Sequence, residues 1–283
     1  MAHLSDRDLA IVDWLDRHGV LTTEQLTIAF FNAASTASHR LAKLRALGVV
    51  DRFHRPHPGG GFAPWHWVTG PVGAHLAAAA RRELPPTPKA LRERHARLAR
   101  NPQLAHDLAA SQFFIDLYAH ARRHLSAELL AWWSPRETAA RYHNRIHPDG
   151  HALWREHLRT GPVTVGLFLE YDTGTERPIR RLTDKLDAYE GLASDGGPAY
   201  PVLFVVATSG RERALHEALT ARTGGVPVAT TVRASGDRDN PAGPVWALVG
   251  DPHPRARLIE LPCEHGRRGS MYAPNADQFD LTG

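Results

Sequence analysis

Cysteine is almost missing from this chain: Cys263 is the only one in 283 residues. That excludes an internal disulfide framework and a zinc module built on several cysteines, and it suits a reducing compartment. Also missing is any run of roughly 18 apolar residues, so no membrane-spanning helix is expected. The opening, M-A-H-L-S-D-R-D-L, has no cationic stretch leading into an apolar one. No signal peptide is read there, and the expected location is cytoplasmic. There is no internal repeat and no low-complexity block.

What is present supports folded cores. Hydrophobic residues make up 42% of the chain and charged residues 23%, values ordinary for a globular protein. The length suits two domains. The net charge of +4 is unevenly spread. Residues 1–100 hold 14 Lys and Arg against 8 Asp and Glu, whereas residues 101–283 hold 20 against 22. A basic first third points to a polyanionic partner there.

Ser5 reads as the cap of a first helix, with Asp8 three residues on, and Gly19 ends it. Thr22-Thr23-Glu24-Gln25 reads as a capping box that starts a short second helix. A third helix is expected from about Ser35 to Leu47, with Ala37, Leu41, Leu44 and Leu47 inward and Gly48 at its end. Val49 to Phe53 reads as a strand, His54 to Gly61 as a Gly- and Pro-rich turn, and Phe62 to Val68 as a second strand. With its stretch A-S-H-R-L-A-K-L-R-A-L-G-V-V-D-R, residues 37–52, this order resembles a winged helix-turn-helix. The resemblance implies that the third helix enters the major groove of double-stranded DNA. Ser35, Thr36, Ser38, His39 and Lys43 lie off the apolar stripe and become the implied DNA-facing set, with Arg52, Arg55 and His57 on the wing.

Leu84 to Lys89, L-P-P-T-P-K, is a proline-rich break followed by a basic helical stretch. The expected division is therefore a domain over 1–83, a linker over 84–102, a second domain over 103–264 and a polar tail over 265–283. In the second domain one helix is expected to about His124 and a strand over Glu128 to Trp133. A hairpin-like stretch follows around Pro148-Asp149-Gly150. Val163 to Asp172 is apolar at nearly every position, as in a buried central strand. Pro178 opens a helix whose inner face is Ile179, Leu182, Leu186 and Tyr189, and Pro201 to Ala207 is another buried strand. Residues two apart in a strand share a face, so Glu170 and Asp172 are expected to project together. Three carboxylates, Asp149, Glu170 and Asp172, meeting at a strand end would suit a hard divalent cation.

Helix, strand, strand, strand, helix, strand resembles the restriction-endonuclease-like, PD-(D/E)xK, core. The fold class expected is thus α/β (α+β), a winged helix-turn-helix followed by an αβββαβ domain. The resemblance implies that Asp149 and Glu170 bind Mg²⁺ (or Mn²⁺) in a DNA endonuclease or nickase. Asp172 stands where that motif has lysine. Either Lys185 on the next helix supplies the amine, or Asp172 becomes a third ligand. Phe168-Leu169-Glu170-Tyr171-Asp172-Thr173-Gly174-Thr175-Glu176, with Lys185, Leu186 and Tyr189 after it, is similar to the replication-relaxation family of plasmids and other mobile elements.

Other patterns point elsewhere. His143, His147, His151 and His157 cluster, but Asn144, Pro148 and Gly150 disfavour the helix that would align them on zinc. Tyr189 reads as a core aromatic on a helix stripe. Two readings stay open: a metal-dependent nickase targeted by a winged helix, and a non-enzymatic initiator, accessory factor or repressor with a degenerate nuclease-like domain. Either leaves room for a homodimer and calls for no membrane.

Overall fold

The computed structural model describes residues 3–55, 64–174, 180–220, 222, 225–233, 240–251, 254–267 and 270–272. The chain divides into two compact units, Met1–Ile115 and Asp116–Gly283.

The first unit begins with α1 (Asp6–His18), β1 (Leu21–Thr22), α2 (Thr23–Phe30) and α3 (Ala34–Ala46). Then come β2 (Val50–Phe53), β3 (His66–Thr69), α4 (Pro71–Ala80), α5 (Pro88–Arg100) and the start of α6 (Leu104–Ala121). The caps read from the sequence are formed. Asp8 accepts from the Ser5 N–H and hydroxyl, each at 2.7 Å. Thr22 and Gln25 bond reciprocally at 3.0 and 3.1 Å. Gly19 ends α1 at φ 83°, a conformation that costs a residue with a Cβ. Three antiparallel strands lie in the order β1-β3-β2. Ile11 and Leu15 of α1, Leu26 of α2, Leu41 and Leu44 of α3 and Trp67 of β3 are buried. Each such side chain contributes about 2 kcal/mol by leaving water. Arg40 of α3 donates to buried Asp8 of α1, its Nε at 2.9 Å from Oδ1, which fixes the two helices together. The expected turn and the start of the second strand fall largely on residues 56–63, outside the described residues. Residues 84–102, expected as a linker, contain α5, whose Leu91 is buried.

The second unit holds the rest of α6, then β4 (Ala127–Trp133), α7 (Pro135–Arg141), β5 (Gly150–Leu158) and β6 (Gly161–Tyr171). It continues through α8 (Arg180–Asp184), α9 (Leu186–Ser194), β7 (Val202–Val206), α10 (Ser209–Thr220), β8 (Val228–Val232) and β9 (Ala247–Leu248). The six strands form one mixed sheet in the order β4-β5-β6-β7-β8-β9. β4, β5 and β6 run antiparallel, β7 and β8 run parallel to β6, and β9 reverses. Being paired on both sides, β6 is apolar on both faces: Leu167, Phe168 and Leu169 are all buried. Gly166 is needed there, since a Cβ would fall 2.3 Å from the Tyr200 ring.

Other features of the second unit also differ from the sequence reading. α7 lies between the first and second strands of this sheet, where only a hairpin-like stretch was expected. Ser134 and Glu137 cap it reciprocally, and Pro135 sits in its first turn. His265, expected in a loose tail, is packed: its ring bonds Tyr200 and the Thr164 carbonyl, each at 3.1 Å.

Candidate functional site

The sheet brings the expected acids to one end of β6. Asp149 immediately precedes β5, and its N–H donates to the Leu169 carbonyl at 2.8 Å. Its Oδ2 accepts from the Tyr171 N–H at 2.7 Å. Glu170 is the next-to-last residue of β6 and is 2% exposed. Lys185, at the junction of α8 and α9, reaches Glu170 Oε2 at 2.7 Å. The Tyr189 hydroxyl donates to Oε1 at 2.6 Å. Lys185 and Tyr189 are four apart at the start of α9, so one helix face carries both donors. Tyr189 is thus a core ring with a polar tip on the acid.

Burial dominates the electrostatics. It pushes the Glu170 carboxyl up to about 7, and the Asp149 charge adds to this against the pull of Lys185 and Tyr189. The Tyr189 phenol is driven well above its ordinary value by burial and then by Glu170.

Asp172 does not join this pair. It lies one residue beyond β6, where its carboxylate meets Arg211 in the first turn of α10, with Nη2 at 3.2 Å from Oδ1. Oδ1 also accepts from the Gly174 N–H at 2.8 Å. The expectation of two acids projecting together assumed that the strand continues through residue 172; its pairing with β7 instead ends at Tyr171. A divalent ion needs several converging oxygens. Here both Glu170 oxygens take hydrogen bonds and Asp172 faces a guanidinium. Among the described residues no group of three or more His, Cys, Asp or Glu side chains could hold a metal ion. The arrangement does not fit the three-carboxylate Mg²⁺ or Mn²⁺ site expected from the sequence.

The histidines are also dispersed in role. His151 is buried, its Nδ1 donating to the Leu167 carbonyl at 2.8 Å and its Nε2 facing the Tyr142 hydroxyl at 3.2 Å. Burial drives it down to about 3, so it stays neutral. His143, His147 and His157 are exposed.

In the first unit, Ser35, Thr36, Ser38, His39 and Lys43 all stand exposed on α3, while Ala37, Leu41 and Leu44 are buried. No side-chain partner holds these five among the described residues. Arg52 on β2 is half-buried and lies over the Trp65 ring, 3.5 Å from its centroid. Arg55 donates to the Asn101 carbonyl at 3.0 Å, so part of its guanidinium is engaged within the unit. His57 and Glu176 lie outside the described residues.

A family model described as Replication-relaxation matches residues 12–203, more than half of the chain. The chain belongs to the replication-relaxation family. The matched span takes in α3, Asp149, Glu170, Lys185 and Tyr189. No curated protein and no solved structure matches the chain. Family membership associates the chain with replication and relaxation of mobile elements. No helix among the described residues is long and apolar enough to cross a membrane. In this replication-relaxation chain the sequence reading missed three site features: the Tyr189 hydrogen bond, the Arg211 clamp and the Asp8–Arg40 pair. The four-residue spacing of Lys185 and Tyr189 was a usable signal for the first. The other two join residues 39 and 32 positions apart, which no local pattern marks.

Proposed function

We propose that this chain is a DNA-binding protein of a plasmid or other mobile element, acting in its replication and relaxation, and that α3 reads double-stranded DNA. The observation that carries the reading is the exposed polar face of α3, Ser35, Thr36, Ser38, His39 and Lys43, set on a buried apolar stripe. The order helix, strand, helix, helix, strand, strand, with three antiparallel strands, supports a winged helix-turn-helix. On that reading the short side chains meet base edges and Lys43 meets phosphate. Binding of labelled duplexes tiled across the element tests it. Wild type should select one segment, and Ser38→Ala with His39→Ala should blunt that selection. Equal, weak affinity for every segment would sink it.

A second reading is favoured by the contact between Lys185 and Glu170. On it the second unit is restriction-endonuclease-like and nicks DNA, with Asp149 and Glu170 as its acids and Lys185 standing in for the lysine absent at position 172. The near-neutral Glu170 carboxyl is the kind of perturbed group that marks reactive sites. The Arg211 clamp weighs against Asp172 as a third ligand. Supercoiled plasmid incubated with Mg²⁺ or Mn²⁺ separates the readings. Relaxation by wild type that is lost in Asp149→Ala, Glu170→Ala and Lys185→Ala supports nicking. Intact plasmid, with selective binding retained, leaves the DNA-binding role alone.

A further inference from the structure

We propose that α5 is a second DNA-contacting surface, one that grips the phosphate backbone without reading sequence; this rests on the DNA-binding role proposed above. α5 runs Pro88–Arg100 and carries Lys89, Arg92, Arg94, Arg97 and Arg100. It is built into the first unit rather than left as a solvated linker. Leu91 is buried, Leu98 packs with Val20, Val68 and Leu104, and Arg94 bonds Asp16 at 2.9 Å. That inner face leaves the others turned to solvent. At about 100° per residue, Lys89, Arg92, Arg97 and Arg100 fall within roughly 140° of one another, opposite Leu91 and Leu98. All four are exposed. None has an ion-pair partner among the described residues, and Glu93 is the one acid on the same face.

Helix stability alone does not account for this pattern. Cations suit a helix C-terminus, so Arg97 and Arg100 could serve α5 itself. The same dipole makes cations near the N-terminus unfavourable. Yet the first turn of α5 holds no acid, and Lys89 and Arg92 lie at that end. Unneutralised charge held along a whole helix, against the preference of its dipole at one end, complements a linear polyanion. The helix is also tied to the β2–β3 pair, the expected wing. Arg55, following β2, donates to the carbonyl of Asn101, the residue that caps the C-terminus of α5. That bond ties the C-terminal end of α5, where Arg97 and Arg100 lie, to the segment that follows β2. Nucleic acid fits the family's association with replication, whereas an anionic membrane would require only the charge.

The test uses the full chain and one labelled duplex, with affinity followed between about 50 and 200 mM salt. The variant carries Lys89→Gln, Arg92→Gln, Arg97→Gln and Arg100→Gln; a second carries only the first two changes. Each lost phosphate contact should flatten the slope of log affinity against log salt by about 0.9. Affinity should fall on the order of tenfold or more for cognate and unrelated duplexes alike, with the preferred segment unchanged. The double variant should give a partial effect, and thermal unfolding should stay at the wild-type temperature in both. Unchanged slope and affinity in the fourfold variant would overturn the α5 proposal while leaving the α3 reading intact. So would loss of binding to phosphatidylserine vesicles with DNA binding untouched, which would assign the face to membranes. Absence of any DNA binding by wild type would remove the DNA-binding role itself.

Discussion

Each unit buries a carboxylate, and the two are treated oppositely. Asp8 is 0% exposed and Glu170 2%. Burial raises both, but Asp8 receives Arg40 together with the Ser5 N–H and hydroxyl, and these hold it down to about 2. Glu170 has one ammonium, from a Lys185 side chain 37% exposed, and one phenol. That is not enough to offset burial, and it rests at about 7. Glu170 is packed more deeply than Asp8, and depth together with the number and kind of donors decides whether a buried acid is a locked anion or a group that exchanges a proton near neutrality. Asp8 is therefore an anchor for α1 and α3. Glu170 is chemically poised, which is why the second unit carries the candidate reactive site and the first the candidate recognition face.

The sharpest way to break this contrast is to remove each acid's cation. Arg40→Ala strands a charge at Asp8 that cannot readily take a proton, and should cost about 3–5 kcal/mol in denaturant unfolding. The pH dependence comes next. Because the folded-state value of Glu170 lies above its ordinary 4.5, its ionisation weakens the fold as pH rises from about 4.5 to about 7. The stability advantage of Glu170→Gln over wild type should thus open across that window, by roughly 3 kcal/mol in all. Asp8 has the opposite sign: the advantage of wild type over Asp8→Asn should hold above 3.8 and vanish as pH falls towards 2. A gap of one sign at both positions would dissolve the contrast. Lys185→Met should cost less than Arg40→Ala, about 1–2 kcal/mol at neutral pH, because Glu170 can then hold its proton. Equal costs for the two cations would contradict the account. Least of all, Lys43→Ala should change unfolding by under about 0.5 kcal/mol, since that side chain is exposed on α3.

Much of this architecture was legible in the chain. Caps are local, so Ser5, Thr22 and Gln25 located helix starts, and the uninterrupted apolar run into Glu170 marked the central strand. Lys185 was legible as a candidate because it follows the acid in a stretch expected to be helical, whose Leu182, Leu186 and Tyr189 are buried. The capping signature at Ser134 and Glu137 was present but passed over, and α7 was missed with it. What was out of reach depends on where strands end and on distant pairs. Asp172 needed the knowledge that β6 stops at Tyr171 and that α10 brings Arg211 to it. The integration of α5 into the first unit needed Leu98 to find Val20 and Val68, which periodicity alone cannot foresee.

The most direct measurement is duplex binding by wild type and Lys43→Glu, taken with their unfolding curves. A working α3 face predicts selective binding by wild type that weakens at least about tenfold on charge reversal, with the unfolding midpoint unmoved. Wild-type affinity in Lys43→Glu, or no selective binding by either protein, would contradict it.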